Sequence, residues 1–153
     1  MELSGDELAG IADQFGALPP AALRQAVQET AFRAGEELDE TAAQEQIEAA
    51  LGSFALLEIE VGGEPYIAPG PASFPTVPSA ASDLPHVLDV EPIEVPQAAL
   101  GAGVERQLKE AAADVDGPAD AQELLEVTYD AEVWVDVDLG PVRERLDAIA
   151  SEG

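Results

Sequence analysis

Apolar residues recur with a helical period in the first third of the chain. The first stripe occupies positions i, i+3, i+4 and i+7: Leu8, Ile11, Ala12 and Phe15. Ser4 and Glu7 stand ahead of it with the spacing of a capping box, and this predicts a helix over about 5–15. Stripes of the same period predict a second helix over 19–35, opened by two prolines, and a third over 41–54 with its own capping box.

The apolar period then changes to two. Apolar residues alternate with glutamates over 57–61, Gly62–Gly63 follows, and a second extended run occupies 64–68. Two extended runs joined by Gly-Gly predict a β-hairpin, whose second strand contains a proline and is therefore an edge strand. Three short helices followed by a hairpin is the order of a winged helix, so we predict a winged-helix-like unit over 1–68. The alternative is a generic three-helix unit with an attached hairpin.

The second half of the chain is predicted to be a connector followed by a helical extension. Residues 69–96 hold seven prolines among interspersed apolar side chains, which predicts an ordered connector that packs along the domain. Helical stripes follow over 97–115 and again after 116–118, and strict alternation predicts a strand over 133–139. A helix opened by proline ends the chain. The extension covers 97–153, and the predicted fold class is α+β, mostly helical.

Charge changes the picture of the surface. The chain carries 32 Asp and Glu against 6 Lys and Arg, a net charge of −26, while 46% of its residues are hydrophobic. So large an apolar fraction argues against a wholly disordered chain. Carboxylates at this density repel one another in dilute buffer, whereas in about 1 M salt the Debye length falls to about 3 Å. We therefore predict a folded, salt-adapted protein.

Composition also narrows the compartment and the chemistry. The absence of cysteine excludes disulfides, thiolate metal sites and thiol catalysis. The first residues, MELSGDE, are acidic where a signal peptide would be basic, and no apolar run approaches the length of about 18 residues that a membrane span needs. We expect a cytoplasmic protein with no membrane partner.

Three runs of the sequence are distinctive: ELSGDELAG at 2–10, PGPASFPT at 69–76 and DLPHVLD at 83–89. Together they resemble a family of uncharacterised small acidic haloarchaeal proteins, a domain of unknown function. The resemblance would cover most of the chain. It implies the salt-rich compartment already expected from the charge, and it implies no activity and no catalytic residue.

The third predicted helix is the candidate DNA-reading element of a winged helix. Its polar residues are uncharged or acidic: Gln44, Glu45, Gln46 and Glu48. Residues 1–70 hold fourteen acidic side chains and only Arg24 and Arg33 as cations, and the hairpin holds no basic residue. DNA-binding proteins approach phosphates with Lys and Arg, so this pattern disfavours DNA. Counterion release contributes little in molar salt, so DNA binding stays open as an alternative.

Acidic residues and the single histidine supply the other candidate sites. The segment Asp114–Asp120 partly resembles a calcium loop, but it lacks the glycine position and distal glutamate of an EF-hand, so an acidic turn between helices is favoured. Asp136 and Asp138 are interpreted as lying on the solvent-exposed face of an edge strand rather than in a metal site. His86, the only histidine, is interpreted as structural, although Ser73, Ser79 and Ser82 are possible neighbouring nucleophiles. The sequence therefore assigns no catalytic, cofactor-binding or metal-binding residue.

The remaining distinctive side chains are aromatic or basic. The large aromatics are predicted to lie in the core, with one exposed aromatic beside the hairpin as an alternative anchor for a partner: Trp134, Tyr129, Tyr66 and Phe74. The basic clusters are predicted to form ion pairs within helices: Arg106 with Lys109, and Arg143 with Arg145.

These patterns favour a non-enzymatic protein-interaction or regulatory module on a winged-helix-like scaffold. Its partner is expected to be a protein, and a homodimer is possible. The alternatives are a DNA-binding transcription regulator and, last, a small metal-dependent enzyme that uses aspartates.

Overall fold

The computed structural model describes residues 1–151. Its elements in chain order are α1 (Gly5–Asp13), α2 (Pro20–Arg33), α3 (Glu40–Gly52), β1 (Leu56–Val61), β2 (Glu64–Pro69), α4 (Leu84–Leu88), α5 (Gln97–Ala113), α6 (Pro118–Trp134) and α7 (Gly140–Ala150). A 3₁₀ turn, Ser79–Ala81, precedes α4. The predicted α+β, mostly helical class is confirmed, and so is the order of three helices and a hairpin followed by helices. None of the helices described is long and apolar enough to cross a membrane.

Local side-chain caps fix where the first and third helices begin. At α1 the amide of Glu7 donates to Ser4 Oγ at 3.1 Å and the amide of Ser4 donates to Glu7 Oε1 at 3.0 Å, which is the predicted capping box. At α3 the cap is Asp39 and not Thr41, the first residue of the third predicted helix. Asp39 Oδ1 accepts from the amide of Ala42 at 2.7 Å, and the helix begins at Glu40.

The hairpin lies between two groups of helices and contributes to two hydrophobic cores. Leu56 and Ile67 face one way and pack with α1, α2 and α3. Leu57, Ile59 and Ala68 face the other way and pack with α5, α6 and α7. Successive strand residues point to opposite faces, so an apolar residue at both 56 and 57 marks a strand that is covered on both sides.

Both outer edges of the hairpin have partners. On β2, Leu18 exchanges backbone hydrogen bonds with Ile67, at 2.9 and 2.6 Å. On β1, the Gln107 side chain of α5 accepts from the amide of Glu58 at 3.2 Å and donates to the carbonyl oxygen of Leu56 at 3.2 Å. Arg106 donates to the carbonyl oxygen of Glu58 at 3.0 Å. Side chains of α5 therefore occupy the place that a third strand would take beside β1.

The proline-rich segment is held along α1 by hydrogen bonds that its backbone amides donate. The amide of Thr76 donates to the carbonyl oxygen of Asp6 at 3.0 Å, and the amide of Phe74 donates to Asp6 Oδ1 at 2.9 Å. Farther along, the amide of Ile93 donates to the carbonyl oxygen of Phe15 at 2.8 Å. These bonds satisfy amides that a segment without regular structure would otherwise leave unpaired.

The predicted strand over 133–139 is wrong. Val133 and Trp134 complete the last turn of α6, and the rest of the run is an irregular link to α7 with no strand partner among residues 1–151. Burial still alternates in this link: Val135 is 4% exposed, whereas Asp136 and Asp138 are exposed. The alternation in the sequence therefore reflects which residues are buried against helices. It does not indicate that the segment belongs to a sheet.

Candidate functional site

The outer face of α2 forms one wall of a groove. Residues at i, i+3, i+4 and i+7 of this helix point away from the core into the groove: Gln25, Gln28, Glu29 and Phe32. The opposite face of α2 holds the buried stripe, which includes Leu23, Val27 and Ala31. Phe32 lies on the face of the helix opposite this stripe, so its side chain points outward when the stripe packs against the core.

The loop between α2 and α3 forms the other wall of the groove. Gly35 adopts a φ of +80°, which lets the chain turn back on itself after the helix ends. The amide of Glu36 then donates to the carbonyl oxygen of Ala31 at 2.9 Å. The side chain of Gln28 donates to the carbonyl oxygen of Leu38 at 3.2 Å and ties the loop to the helix. The resulting groove has a volume of about 500 Å³.

The groove combines negative charge with an exposed aromatic ring. Its carboxylates belong to Glu29, Glu36, Glu37 and Asp39, and no Lys, Arg or His lines it. Phe32 is 74% exposed, while Leu38, which also lines the groove, is half-buried. We define the acidic groove as the concave surface formed by Gln25, Gln28, Glu29, Phe32 and residues 36–39.

Phe32 was not among the candidate residues predicted from the sequence. The signal was present, since Phe32 falls one position after Ala31 and therefore off the buried stripe of α2. An off-stripe phenylalanine predicts an exposed ring, but it does not predict the loop that makes the surface concave.

The exposed surface of α3 offers no positive charge to DNA. Glu45 and Glu48 are exposed on it. The Gln46 side chain accepts from the amide of Leu3 at 3.0 Å and therefore holds the N-terminal segment instead of a ligand. Gln44 accepts from Arg24 at 3.3 Å, so the nearest cation is already engaged by the protein.

The basic clusters make fewer helical ion pairs than predicted. Lys109 pairs with Glu105 one turn away, at 2.7 Å, as expected. Arg106 instead donates to β1, and Arg143 forms an ion pair with Glu132 of α6. Arg145 is exposed and forms no ion pair with another described residue. Arg106 and Arg143 therefore link separate elements, which a pattern read along one helix does not reveal.

The aromatic residues are less buried than predicted. Phe74 is 82% exposed and Tyr129 is also exposed, so the prediction that they lie in the core is wrong for both. The Arg143 guanidinium stacks on the Tyr129 ring, 4.5 Å from its centroid, which gives that ring a local partner. Tyr66 and Trp134 are half-buried and pack against the second core.

The acidic candidates are not gathered into one site. Asp114, Asp116 and Asp120 are exposed around the turn from α5 to α6. Within residues 1–151, no group of three or more His, Asp or Glu side chains is arranged to hold a metal ion. Asp138 has a structural contact, because its Oδ1 accepts from the amide of Gly140 at 3.0 Å where α7 begins.

The single histidine lies apart from any hydrogen-bonded catalytic arrangement in the described chain. His86 is exposed on the five-residue helix α4 and forms no hydrogen bond there. Ser73, one of its candidate neighbours, donates its hydroxyl to the carbonyl oxygen of Gly70 at 2.9 Å within a turn. An activated serine needs a hydrogen bond to a base, and that base needs a hydrogen bond to a carboxylate. His86 forms neither of these side-chain bonds with a described residue.

Comparison with known proteins gives a family but no activity. No curated protein and no solved structure is significantly similar to the chain. One family model matches residues 6–151, which covers all the elements described above except the first residue of α1. The prediction of an uncharacterised family is thus confirmed, and the chain belongs to the family of unknown function DUF7109.

Proposed function

We propose that this protein is a non-enzymatic protein-interaction module in a salt-rich cytoplasm, that its N-terminal helices and hairpin form a winged-helix-like scaffold, and that the acidic groove is its binding surface. The observation that carries this proposal is the exposed Phe32 ring in the lining of the acidic groove. Burying a phenylalanine side chain contributes roughly 1.5–3 kcal/mol. Interfaces commonly place such a ring at the centre of the contact.

The charge of the groove indicates the chemistry of its partner. No Lys, Arg or His lines the groove, and of its four carboxylates Glu36 lies 3.5 Å from the N-terminal ammonium of Met1. A partner segment with Lys or Arg flanking an apolar residue would match both the charge and the ring. We therefore assign the groove to a basic, amphipathic segment of another protein. A second copy of this chain fits poorly, because it also carries a net charge of −26.

The surface that a winged helix would present to DNA supports the same choice. Glu45 and Glu48 are exposed on α3, and Glu58, Glu60 and Glu64 are exposed on the hairpin. Phosphates would meet negative charge at each of these positions. DNA binding is therefore the second candidate, and the test below separates it from the first.

The test is affinity capture of partners with the immobilised full chain, in molar salt, from a lysate of the cells that make the protein. Three baits are compared after nuclease treatment: the wild type, Phe32→Ser and Phe74→Ser. The last is a matched control, because Phe74 is also an exposed phenylalanine but lies outside the groove. A carbodiimide then joins groove carboxylates to lysines of the captured protein, and mass spectrometry locates the cross-links.

The expected result is a protein retained by the wild type and by Phe74→Ser, lost with Phe32→Ser, and cross-linked through lysines to Glu29, Glu36 or Glu37. Loss of a ring that contributes roughly 1.5–3 kcal/mol weakens binding by about 10- to 150-fold. Equal retention by all three baits, or no retained protein, contradicts the proposal. Capture that disappears entirely with nuclease contradicts it too and favours the DNA alternative.

A further inference from the structure

A second concave site lies where the two cores meet. We call it the junction cavity: a space of about 340 Å³ between the end of α1, the end of β2, the start of the proline-rich segment, the start of α5 and the end of α6. The residues that matter for its chemistry are Asp13, Ser73, Val95, Gln97, Leu100 and Trp134. Its volume falls in the range of small-molecule sites, which commonly lie between packed units of structure.

Negative charge at one side of the junction cavity has no counterpart in the protein. Asp13 is the last residue of α1, and no basic residue occupies the last turn of that helix. The C-terminal end of a helix carries about half a negative charge, so a carboxylate there is repelled by its own helix. The Asp13 side chain is exposed at the rim of the cavity and forms no ion pair with another described residue, and no basic side chain lines the cavity. A cation in this position is attracted by both the carboxylate and the helix end.

An aromatic ring lines the same cavity. Trp134 is the only tryptophan of the chain and is half-buried at the C-terminal end of α6. The face of an indole attracts a cation within about 6 Å of its centre, more strongly than other aromatic rings do. Val95 and Leu100 add apolar surface, and the amide of Gln97 adds a hydrogen-bonding group. The lining thus pairs features that bind positive charge with features that bind hydrocarbon.

These features select an organic cation over a metal ion. Calcium takes about six to eight oxygen ligands, and the lining supplies one carboxylate. Apolar side chains and an indole ring contribute nothing to the binding of a hydrated inorganic ion. They match an ammonium group attached to a carbon skeleton.

We propose that the junction cavity binds a small organic ammonium compound, with its charged nitrogen between Asp13 and Trp134 and its carbon skeleton against Val95 and Leu100. This site is separate from the acidic groove, because the two share no lining residue. Each of the two proposals can fail without the other.

The fluorescence of Trp134 tests the proposal directly, since the signal comes from one residue that lines the cavity. The probes are benzylammonium and tetramethylammonium chloride, and their neutral counterparts are benzyl alcohol and tert-butanol. All titrations use the full chain in molar KCl, where the general attraction of an acidic protein for cations is screened. We expect a saturable change in emission with at least one ammonium probe, at a concentration about tenfold below that of its neutral counterpart.

Two matched variants locate the charge. Asp13→Asn removes the carboxylate that lines the cavity and is expected to weaken binding of the ammonium probe about threefold, because an exposed carboxylate contributes less than a buried one. Asp130→Asn removes the same charge from an exposed position of α6 outside the cavity, four residues before Trp134, and is expected to leave the affinity unchanged. Both variants are first checked for wild-type circular dichroism.

Three results would overturn the proposal. One is the absence of a saturable change with both ammonium probes. Another is equal affinity for the charged probes and their neutral counterparts, which would mean that apolar contacts alone explain binding and that Asp13 has no role. The third is equal weakening in Asp13→Asn and Asp130→Asn, which would mean that the general acidity of the protein, and not the cavity, attracts the probe.

Discussion

Gly103 of α5 lies against the carbonyl oxygen of Glu58 in β1, so close that an added β-carbon would stand 2.8 Å from that oxygen. The same β-carbon would stand 2.8 Å from Cγ2 of Ile59. Glycine within a helix costs about 1 kcal/mol relative to alanine. Its presence here is explained by packing, because it lets the backbone of α5 lie directly against the hairpin.

Gly103→Ala is expected to destabilise the protein. The added methyl group gains about 1 kcal/mol of helix propensity but overpacks a backbone contact, which costs about 1–3 kcal/mol and requires α5 to move away from β1. The net expectation is a free energy of unfolding lowered by up to about 2 kcal/mol, measured by urea denaturation in molar salt. Gly52→Ala is the control, since a β-carbon there meets no atom within 4 Å. Equal stability of the two variants would contradict the close contact.

Gln107→Ala is expected to loosen the edge of β1. The Gln107 side chain donates to the carbonyl oxygen of Leu51 at 2.8 Å and also bonds the backbone of Leu56 and Glu58. Its removal leaves backbone groups of a partly buried edge without partners, at a cost of about 1–3 kcal/mol. The measurements are urea denaturation and hydrogen exchange at the amide of Glu58, which should become faster than in the wild type.

The matched control for this edge is Gln122→Ala. Gln122 is an exposed glutamine on α6 that bonds no other described residue through its side chain. We expect its substitution to change the free energy of unfolding by less than about 0.5 kcal/mol. Unchanged exchange at Glu58 in Gln107→Ala would show that this side chain does not protect the edge.

Val133 and Val135 should respond differently to the same substitution. In a strand they would share a face, whereas in the structure Val133 is 91% exposed on α6 and Val135 is 4% exposed in the link to α7. Val135→Ser is expected to lower the free energy of unfolding by about 2 kcal/mol, because it removes a buried side chain. Val133→Ser is expected to change it by less than about 0.5 kcal/mol. Both free energies of unfolding are measured by urea denaturation. Equal destabilisation by the two substitutions would favour the predicted strand over the helix and link.

The contrast between Val133 and Val135 shows which structural features a sequence pattern can predict and which it cannot. The capping box of Ser4 and Glu7 and the Gly62–Gly63 hairpin were predicted correctly, because both depend on residues close together in the chain. The strand over 133–139 was predicted wrongly, because alternation reports burial and says nothing about a partner strand. Here the burial comes from helices that pack against the link.

The candidate sites depend on contacts that no local pattern contains. Asp13 and Trp134 lie far apart in sequence and line one cavity only because the fold places the ends of α1 and α6 around the same space. The groove beside Phe32 depends on the turn at Gly35 and on the hydrogen bond from Gln28 that holds the following loop. The sequence could predict the charge of these surfaces, but their concave shape required the fold.

Lowering the salt concentration is expected to unfold the protein. The 32 acidic residues face only 6 Lys and Arg, and the Debye length grows from about 3 Å in 1 M salt to about 10 Å in 0.1 M salt. Repulsion between carboxylates then reaches across the surface and destabilises the compact state. The helical signal in far-UV circular dichroism should fall as the ionic strength is lowered. Plotted against ionic strength, the signals in NaCl, KCl and MgCl₂ should follow the same curve. An unchanged spectrum in dilute buffer would show that the fold tolerates its charge without screening.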